Sequence, residues 1–172
     1  MTTEEIFTTL TNHMLEGVMT HEQLANYYDF LGLPFYSKCH SKHFYKESKS
    51  YRKIYNYYIT TYNRLLTEPE FKQPEVIPSS WVQYTRQDVD AATKQKAVKD
   101  GLEKWVKWER DTLKLYQDLY KELCNMGHIT SAEKVKCLIL DVEEEVREAE
   151  QYHLNKVATG YDMVYIVEEQ DA

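Results

Sequence analysis

Acidic side chains recur beside the apolar positions of four long segments, and this pattern could support metal chemistry. Glu22, Glu109 and Glu143 each lie on or next to an apolar stripe of helical spacing, and Glu47 lies on a fourth stripe, one turn before Tyr51. Helices that each turn a carboxylate into a bundle interior can hold two metal ions there. Carboxylates combined with imidazole suit iron or manganese. The pattern therefore predicts a carboxylate site whose candidate metal-binding residues are Glu22, Glu109, Glu143 and Tyr51.

Two further pairs are secondary candidates for the same site. Glu150 and His153 form a Glu-x-x-His sequence, a spacing that places both side chains on one helix face. His43 and Glu47 lie one turn apart and could supply ligands from the neighbouring turn. His40, which could clip a metal together with His43, lies near a helix start among lysines, where a surface role is expected.

An alternative explanation of the same acids needs no metal. Glu22, Glu109 and Glu143 would then be polar residues at the boundary of a bundle, hydrogen-bonded to tyrosines, paired or protonated. In that case Glu150 and His153 would belong to a solvated face near the end of a helix. The residue pattern alone leaves both explanations open.

The composition limits the classes of protein to consider. The chain has 172 residues, of which 42% are hydrophobic and 28% charged, which fits one globular domain over 1–172. A net charge of -7 disfavours general nucleic-acid binding, and no apolar stretch is long enough to span a membrane. The 3 cysteines are an odd number without metal-site spacing, which predicts reduced, packed thiols and a cytoplasmic location.

Four helices and one long connection account for the apolar periodicity. The helices are predicted over 3–32, 34–66, 91–126 and 131–157, and Thr2 with Glu5 forms a capping box for the first. Between the second and third helices, prolines at 69, 74 and 78 exclude a continuous helix. The 68–90 segment is long enough to run back along the bundle, pinned by Trp81 and Tyr84. The predicted fold class is therefore an all-α, four-helix bundle with one long crossover.

The C-terminal tail, 158–172, allows two interpretations. Its residues 163–167 have strand propensity and could add to a sheet edge on a partner. The alternative, which we favour, is that the tail packs on the bundle.

Short segments of the chain resemble the ferritin-like superfamily, in particular the bacterioferritins. Glu22-Gln-Leu-Ala-Asn-Tyr-Tyr is similar to their first-helix segment, and His43-Phe-Tyr-Lys-Glu47-Ser48 is similar to the start of their second-helix motif. Ile139-Leu140-Asp141-Val142-Glu143 resembles the fourth-helix segment, and Glu109 matches the third-helix carboxylate. The resemblance implies a ferritin-like bundle over about 3–157, with a di-iron carboxylate site.

The chain departs from that pattern at the positions of several ligands. The family's Glu-x-x-His on the second helix falls on Tyr51 and Ile54, and the fourth-helix histidine falls on Val146. A site without these histidines would be acid-rich and would hold iron or manganese weakly or not at all. The resemblance thus implies a degenerate metal site in a non-catalytic protein that interacts with an unknown protein partner, in monomeric or oligomeric form. The alternative function is an iron- or manganese-binding oxidoreductase with an atypical site.

Overall fold

The structure is a computed structural model that describes residues 1–66 and 69–171. Its described part contains four long α-helices, one short α-helix and two single-turn 3-10 helices, Ser79–Trp81 and Arg86–Asp88, in the long connection. The α-helices are named in chain order. They are α1 (Thr3–Phe30), α2 (Pro34–Tyr62), α3 (Ala91–Asn125), α4 (Ile129–Ala158) and α5 (Met163–Glu169). The predicted all-α, four-helix fold is confirmed. No helix of the described residues combines the length and apolarity needed to cross a membrane.

The bundle consists of two helix pairs. α1 begins with the predicted capping box, in which the Thr2 side chain accepts from the backbone N–H of Glu5 and the Glu5 carboxylate accepts from that of Thr2. Only Leu31–Leu33 separate α1 from α2, and Gly32 has a left-handed φ of 71° at this turn. Such a short connection makes α1 and α2 an antiparallel pair, as predicted, and α3 and α4 pack together in the same way.

The long connection returns the chain to the end where α2 began. Arg86 Nη2 donates to the carbonyl oxygen of Asp29 near the end of α1 (3.1 Å), and Trp81 packs against Tyr27 and Phe30 of α1. Tyr84 stacks on Trp81. Since α3 starts beside the α1–α2 turn, it runs parallel to α2, which is the geometry of a bundle with one long crossover.

Several helix boundaries differ from those predicted. α2 ends at Tyr62 rather than at 66, because Asn63 adopts a left-handed conformation with φ 54°. α4 begins at Ile129, two residues earlier than predicted, without a side-chain cap. Residues 163–169 are helical rather than extended, and Ile166 of this helix is buried in the bundle. The tail therefore packs on the bundle, and the strand interpretation was wrong.

Two apolar clusters fill the bundle, and a polar layer lies between them. The first cluster lies near the α1–α2 turn and takes Leu24 of α1, Trp105 of α3 and Ala149 of α4. The second lies at the opposite end and takes Met14 of α1 and Val142 of α4. Each helix therefore carries a short stretch of buried polar residues between its two apolar stretches, and this places the layer near the middle of the bundle.

The close contact between α1 and α3 near this layer depends on a glycine. A Cβ added at Gly101 of α3 would overlap the hydroxyl of Tyr28 and would lie 3.0 Å from its Cζ. The Tyr28 hydroxyl is buried and has no hydrogen-bond partner within the described ranges. Gly101 therefore leaves the space into which the phenol ring of Tyr28 packs.

We predict that Gly101→Ala destabilises the protein, although alanine has the better helix propensity by about 1 kcal/mol. Overlap with Tyr28 should outweigh this gain and give a net loss of about 1–2 kcal/mol in urea unfolding. Adding Tyr28→Phe removes the hydroxyl and should recover part of the loss, seen as a coupling energy in a double-mutant cycle. A stabilising Gly101→Ala would contradict this packing.

Candidate metal centre

The central polar layer brings three potential metal ligands together from three helices. His21 of α1, His43 of α2 and Glu109 of α3 are all buried, and one ligand atom from each lies within 4.8 Å of the other two. The three residues lie on the inward stripes of their helices, close to Leu24, Tyr36 and Trp105. Helical periodicity thus delivers two imidazoles and one carboxylate to the same level of the bundle.

His21 is held from behind by a second histidine. Its Nδ1 lies 3.1 Å from Nδ1 of His40, so that one nitrogen donates and the other accepts, and the two rings stack. Burial, with a smaller contribution from neighbouring His43, lowers the pKa of His21 to about 3. Burial also holds the pKa of His40 well below its ordinary value. Both rings are therefore neutral, and Nε2 of His21 lies 3.4 Å from Oε1 of Glu109.

Glu109 accepts one hydrogen bond and has a second oxygen to spare. The indole Nε1 of Trp105 donates to Oε1 over 2.9 Å. Oε2 of Glu109 and Nε2 of His21 are both buried without a hydrogen-bond partner among the residues that the structure describes. Burial and the nearby Glu145 carboxylate raise the pKa of Glu109 to about 8. Burying two polar atoms without hydrogen-bond partners lowers the stability of the folded protein, unless a ligand binds both of them.

His43 faces two carboxylates of α4. Its Nδ1 lies 3.7 Å from Glu145 Oε1, and its Nε2 lies 3.4 Å from Glu148 Oε2. Burial alone would lower the pKa of His43, but interactions with Cys39, Glu145 and Glu148 outweigh it and raise the pKa to about 12. Glu145 also pairs with Lys46 at 2.7 Å. His43 thus lies between the buried cluster and an ionic network that reaches the surface.

Glu47 adds a second buried acid on the other side of the layer. Burial, together with the carboxylates of Glu145 and Glu109, raises the pKa of Glu47 to about 8. Its side chain lies against Gly17 of α1, where an added Cβ would come within 3.5 Å of the Glu47 carboxyl carbon and 3.1 Å of the Trp108 ring. The absence of a side chain at residue 17 therefore makes room for Glu47 and Trp108.

The structure brings some of the predicted ligands together and leaves others apart. Glu109 and His43 belong to the cluster, and Glu47 is buried beside it. Glu22 and Glu143 are only partly buried and belong to neither group of potential ligands found in the described residues. Tyr51 packs on the second apolar cluster with Tyr55. Metal binding by Glu22, Glu143 or Tyr51 stays a prediction.

The secondary pair on α4 lies on a different surface. Glu150 forms an ion pair with Arg110 of α3 at 2.7 Å, and His153 Nδ1 shares a hydrogen bond of 2.9 Å with the Tyr161 hydroxyl. Both line a surface pocket between α3 and α4, outside the central cluster. Glu150 thus links α4 to α3, and His153 contacts the turn that follows α4, so neither residue lies in the central cluster.

Of the three cluster residues, His21 is the one that is not among the candidates predicted from the sequence. The prediction for α1 rests on the acid Glu22, whereas its neighbour His21 lies on the buried stripe of the helix. The surface role expected for His40 was wrong, because His40 is buried, as is the secondary candidate His43. Packed thiols were expected, yet Cys137 is exposed. The spacing of Cys39 and His43 on the apolar stripe of α2 is the sequence feature that indicates an inward-facing His43.

The four-helix bundle with one long crossover is the ferritin-like fold, and solved ferritin structures superpose on it. An open-pore ferritin from the hyperthermophilic archaeon Archaeoglobus fulgidus superposes with a TM-score of 0.75 over 98% of this chain and 93% of its own, at 13% identity. A closed form of that ferritin, engineered by site-directed mutagenesis, superposes with a TM-score of 0.75 at 12% sequence identity. The match covers 99% of this chain and 94% of the engineered ferritin. No family profile matches the chain, and no curated protein matches it.

We predict that Glu47→Gln changes how the stability of the metal-free protein depends on pH. The pKa of Glu47 is raised from 4.5 to about 8 on folding, so folding favours its protonated form. Stability should fall as pH rises from about 5 to about 8, by at most about 1.4 kcal/mol per pH unit. Glutamine cannot ionise, so the variant should keep its urea midpoint over this range better than the parent. Glu75 is an exposed residue of the long connection, and Glu75→Gln should follow the parent. Parallel curves for all three proteins would refute the raised pKa of Glu47.

Proposed function

We propose that this ferritin-like protein binds one divalent transition-metal ion at the centre of the bundle through His21, His43 and Glu109. The observation that carries the proposal is the convergence of these three buried residues, within which Nε2 of His21 and Oε2 of Glu109 have no hydrogen-bond partner in residues 1–66 and 69–171. A cation between them would engage both orphaned atoms at once. The proposal goes beyond the fold, which is all that the structural similarity shows.

The donor set suits iron or manganese. Two imidazoles and one carboxylate resemble the ligand type that holds Fe(II) with open coordination positions, and carboxylate also suits Mn(II). His40 supports this choice from behind His21. If Nδ1–H of His21 donates to His40, Nε2 carries the free lone pair that a metal-binding histidine requires. Trp105 orients the carboxylate of Glu109 in the same manner.

The site fits one ion better than two. Among the described residues, two groups of three could hold a metal, and both of them need His43. Two complete ligand sets are therefore not provided at the same time. This supports the prediction of a degenerate site, with the difference that the surviving donors include two histidines rather than acids alone.

A non-catalytic role in the cytoplasm, with a protein partner or a second copy of the chain, is the function that we favour. The α4–α5 end of the molecule presents exposed apolar side chains at Leu154, Val157, Val164 and Val167, which supports an interaction surface. The second candidate is an iron- or manganese-dependent oxidoreductase. It is favoured by the count of three protein ligands, which leaves positions on the ion for a further reactant.

We predict that the protein reconstituted with Fe(II) or Mn(II) binds about one equivalent, and that His21→Ala and Glu109→Gln weaken binding on the order of 100-fold. Isothermal titration calorimetry under anaerobic conditions measures both quantities. Glu109→Gln keeps the shape of the side chain and removes the charge that attracts the cation.

Two sets of variants control this experiment. His153→Ala removes a histidine outside the cluster and should bind metal like the parent. Glu22→Gln and Glu143→Gln test the ligands predicted from the sequence, and they too should leave the affinity unchanged. Loss of binding in Glu143→Gln, with normal binding in Glu109→Gln, would refute the proposed donor set. Absence of binding in the parent would leave the metal-free interaction protein as the function.

Metal binding should release protons and strengthen as pH rises. The pKa values of Glu109, about 8, and His43, about 12, lie above neutrality, and both groups must lose a proton to become ligands. Each proton released makes the affinity rise by up to about tenfold per pH unit below the pKa of its group. Calorimetry in buffers of different ionisation enthalpy should show about one to two protons released at pH 7, and an affinity that is independent of pH from 6 to 8 would contradict this.

A further inference from the structure

A second group of potential ligands extends from the central cluster toward the surface. Ligand atoms of Cys39, His43 and Glu148 lie within 4.8 Å of one another. Cys39 and His43 are four residues apart on α2, a spacing that places both on one helix face, and Glu148 reaches them from α4. The group therefore crosses between two helices, as the donors of a bundle metal site do.

This outer group is open to solvent, whereas the central one is not. The side chain of Glu148 is 44% exposed and that of His43 only 7%. A pocket of about 180 Å³ lies over them, lined by Lys42, His43, Lys46, Glu144, Glu145 and Glu148. Lys46 is paired with Glu145 at 2.7 Å, so its charge is partly compensated and does not by itself repel a cation. An ion can therefore reach His43 from the surface.

We propose that Cys39, His43 and Glu148 form a second, thiolate-containing metal site that takes a borderline-soft divalent ion such as Zn²⁺ or Co²⁺. Thiolate selects softer ions than an all-oxygen site does, and a histidine with a carboxylate completes three protein ligands. A fourth position would remain for water in the open pocket. This site stands on its own residues and does not depend on binding at His21 and Glu109.

His43 belongs to both ligand groups, and this makes the two sites alternatives. A neutral imidazole has one nitrogen lone pair, because its other nitrogen carries a proton. It can therefore bind an ion with Cys39 and Glu148 or an ion with His21 and Glu109, but not both. This mutual exclusion of the two sites rests on the proposed function, whereas the outer site itself does not.

Co²⁺ titrations followed by absorption distinguish the sites, because only the outer one contains sulfur. With His21→Ala, the inner site is disabled, and about one equivalent of Co²⁺ should still bind with a thiolate-to-metal charge-transfer band. With Cys39→Ser, that band should disappear. Glu148→Gln should keep a band but weaken binding in the His21→Ala background about tenfold or more. His43→Ala should abolish binding at both sites.

Matched controls separate the outer site from chance thiol chemistry. Cys137→Ser removes the exposed thiol of α4, and Glu144→Gln removes a carboxylate that lines the same pocket without belonging to the group; both should keep the band. A His21→Ala protein without a charge-transfer band, or one whose band survives Cys39→Ser, would overturn the outer site. The inner site is tested separately in the Cys39→Ser variant, which lacks the outer site. If adding Glu109→Gln to that variant leaves Co²⁺ binding unchanged, the inner site is refuted.

The stoichiometry of the parent protein tests the alternative occupation. About one equivalent of Co²⁺ should bind in total. A large excess of Mn²⁺, which binds imidazole and carboxylate in preference to thiolate, should occupy the inner site and reduce the charge-transfer band by competing for His43. Two equivalents with an undiminished band would show that His43 is not shared, and would refute the exclusion while leaving the outer site intact.

Discussion

The burial of ionisable side chains in the middle of the bundle is the constraint on which the rest of the structure depends. The side chains of His21, Glu47 and Glu109 are buried. A charge on any of them without a compensating partner would lower the free energy of unfolding by several kcal/mol. The protein meets this cost by keeping His21 neutral and by raising the pKa values of both acids. A bound cation would reverse the balance for Glu109, because its ionised form would then be the stabilised one.

The two apolar clusters have a clear role in this arrangement. They bury the helix faces on either side of the polar layer and so fix the helices at the level where the layer occurs. Small residues then adjust the fit: Gly17 admits Glu47 and Trp108, and Gly101 admits Tyr28. The polar layer is thus positioned by packing above and below it, rather than by the weak interactions among its own members.

Much of the fold could be predicted from the sequence, because apolar periodicity and prolines are local signals. The site could be predicted only in part. Glu109 was found since it lies one turn from both Trp105 and Leu113, whereas Glu22 was chosen over His21 although one residue rotates a side chain by about 100° around the helix. Glu143 and Glu145 are separated by about 200°, which places them on nearly opposite faces. Small errors in the assumed inward face therefore exchange one ligand set for another.

The pairing of α2 with α4 could not be predicted at all, because it depends on how far the crossover shifts one helix pair along the other. In the structure, Glu145 and Glu148 of α4 lie beside His43, and His43 is the residue common to both ligand groups. A carboxylate in the same position could bridge two ions with its two oxygens, whereas a neutral imidazole has a single lone pair. Under the two proposals above, His43 would limit the bundle to one ion at a time. That ion would lie either in the inner site of two imidazoles and one carboxylate or in the outer thiolate site, because both ligand groups need the same imidazole.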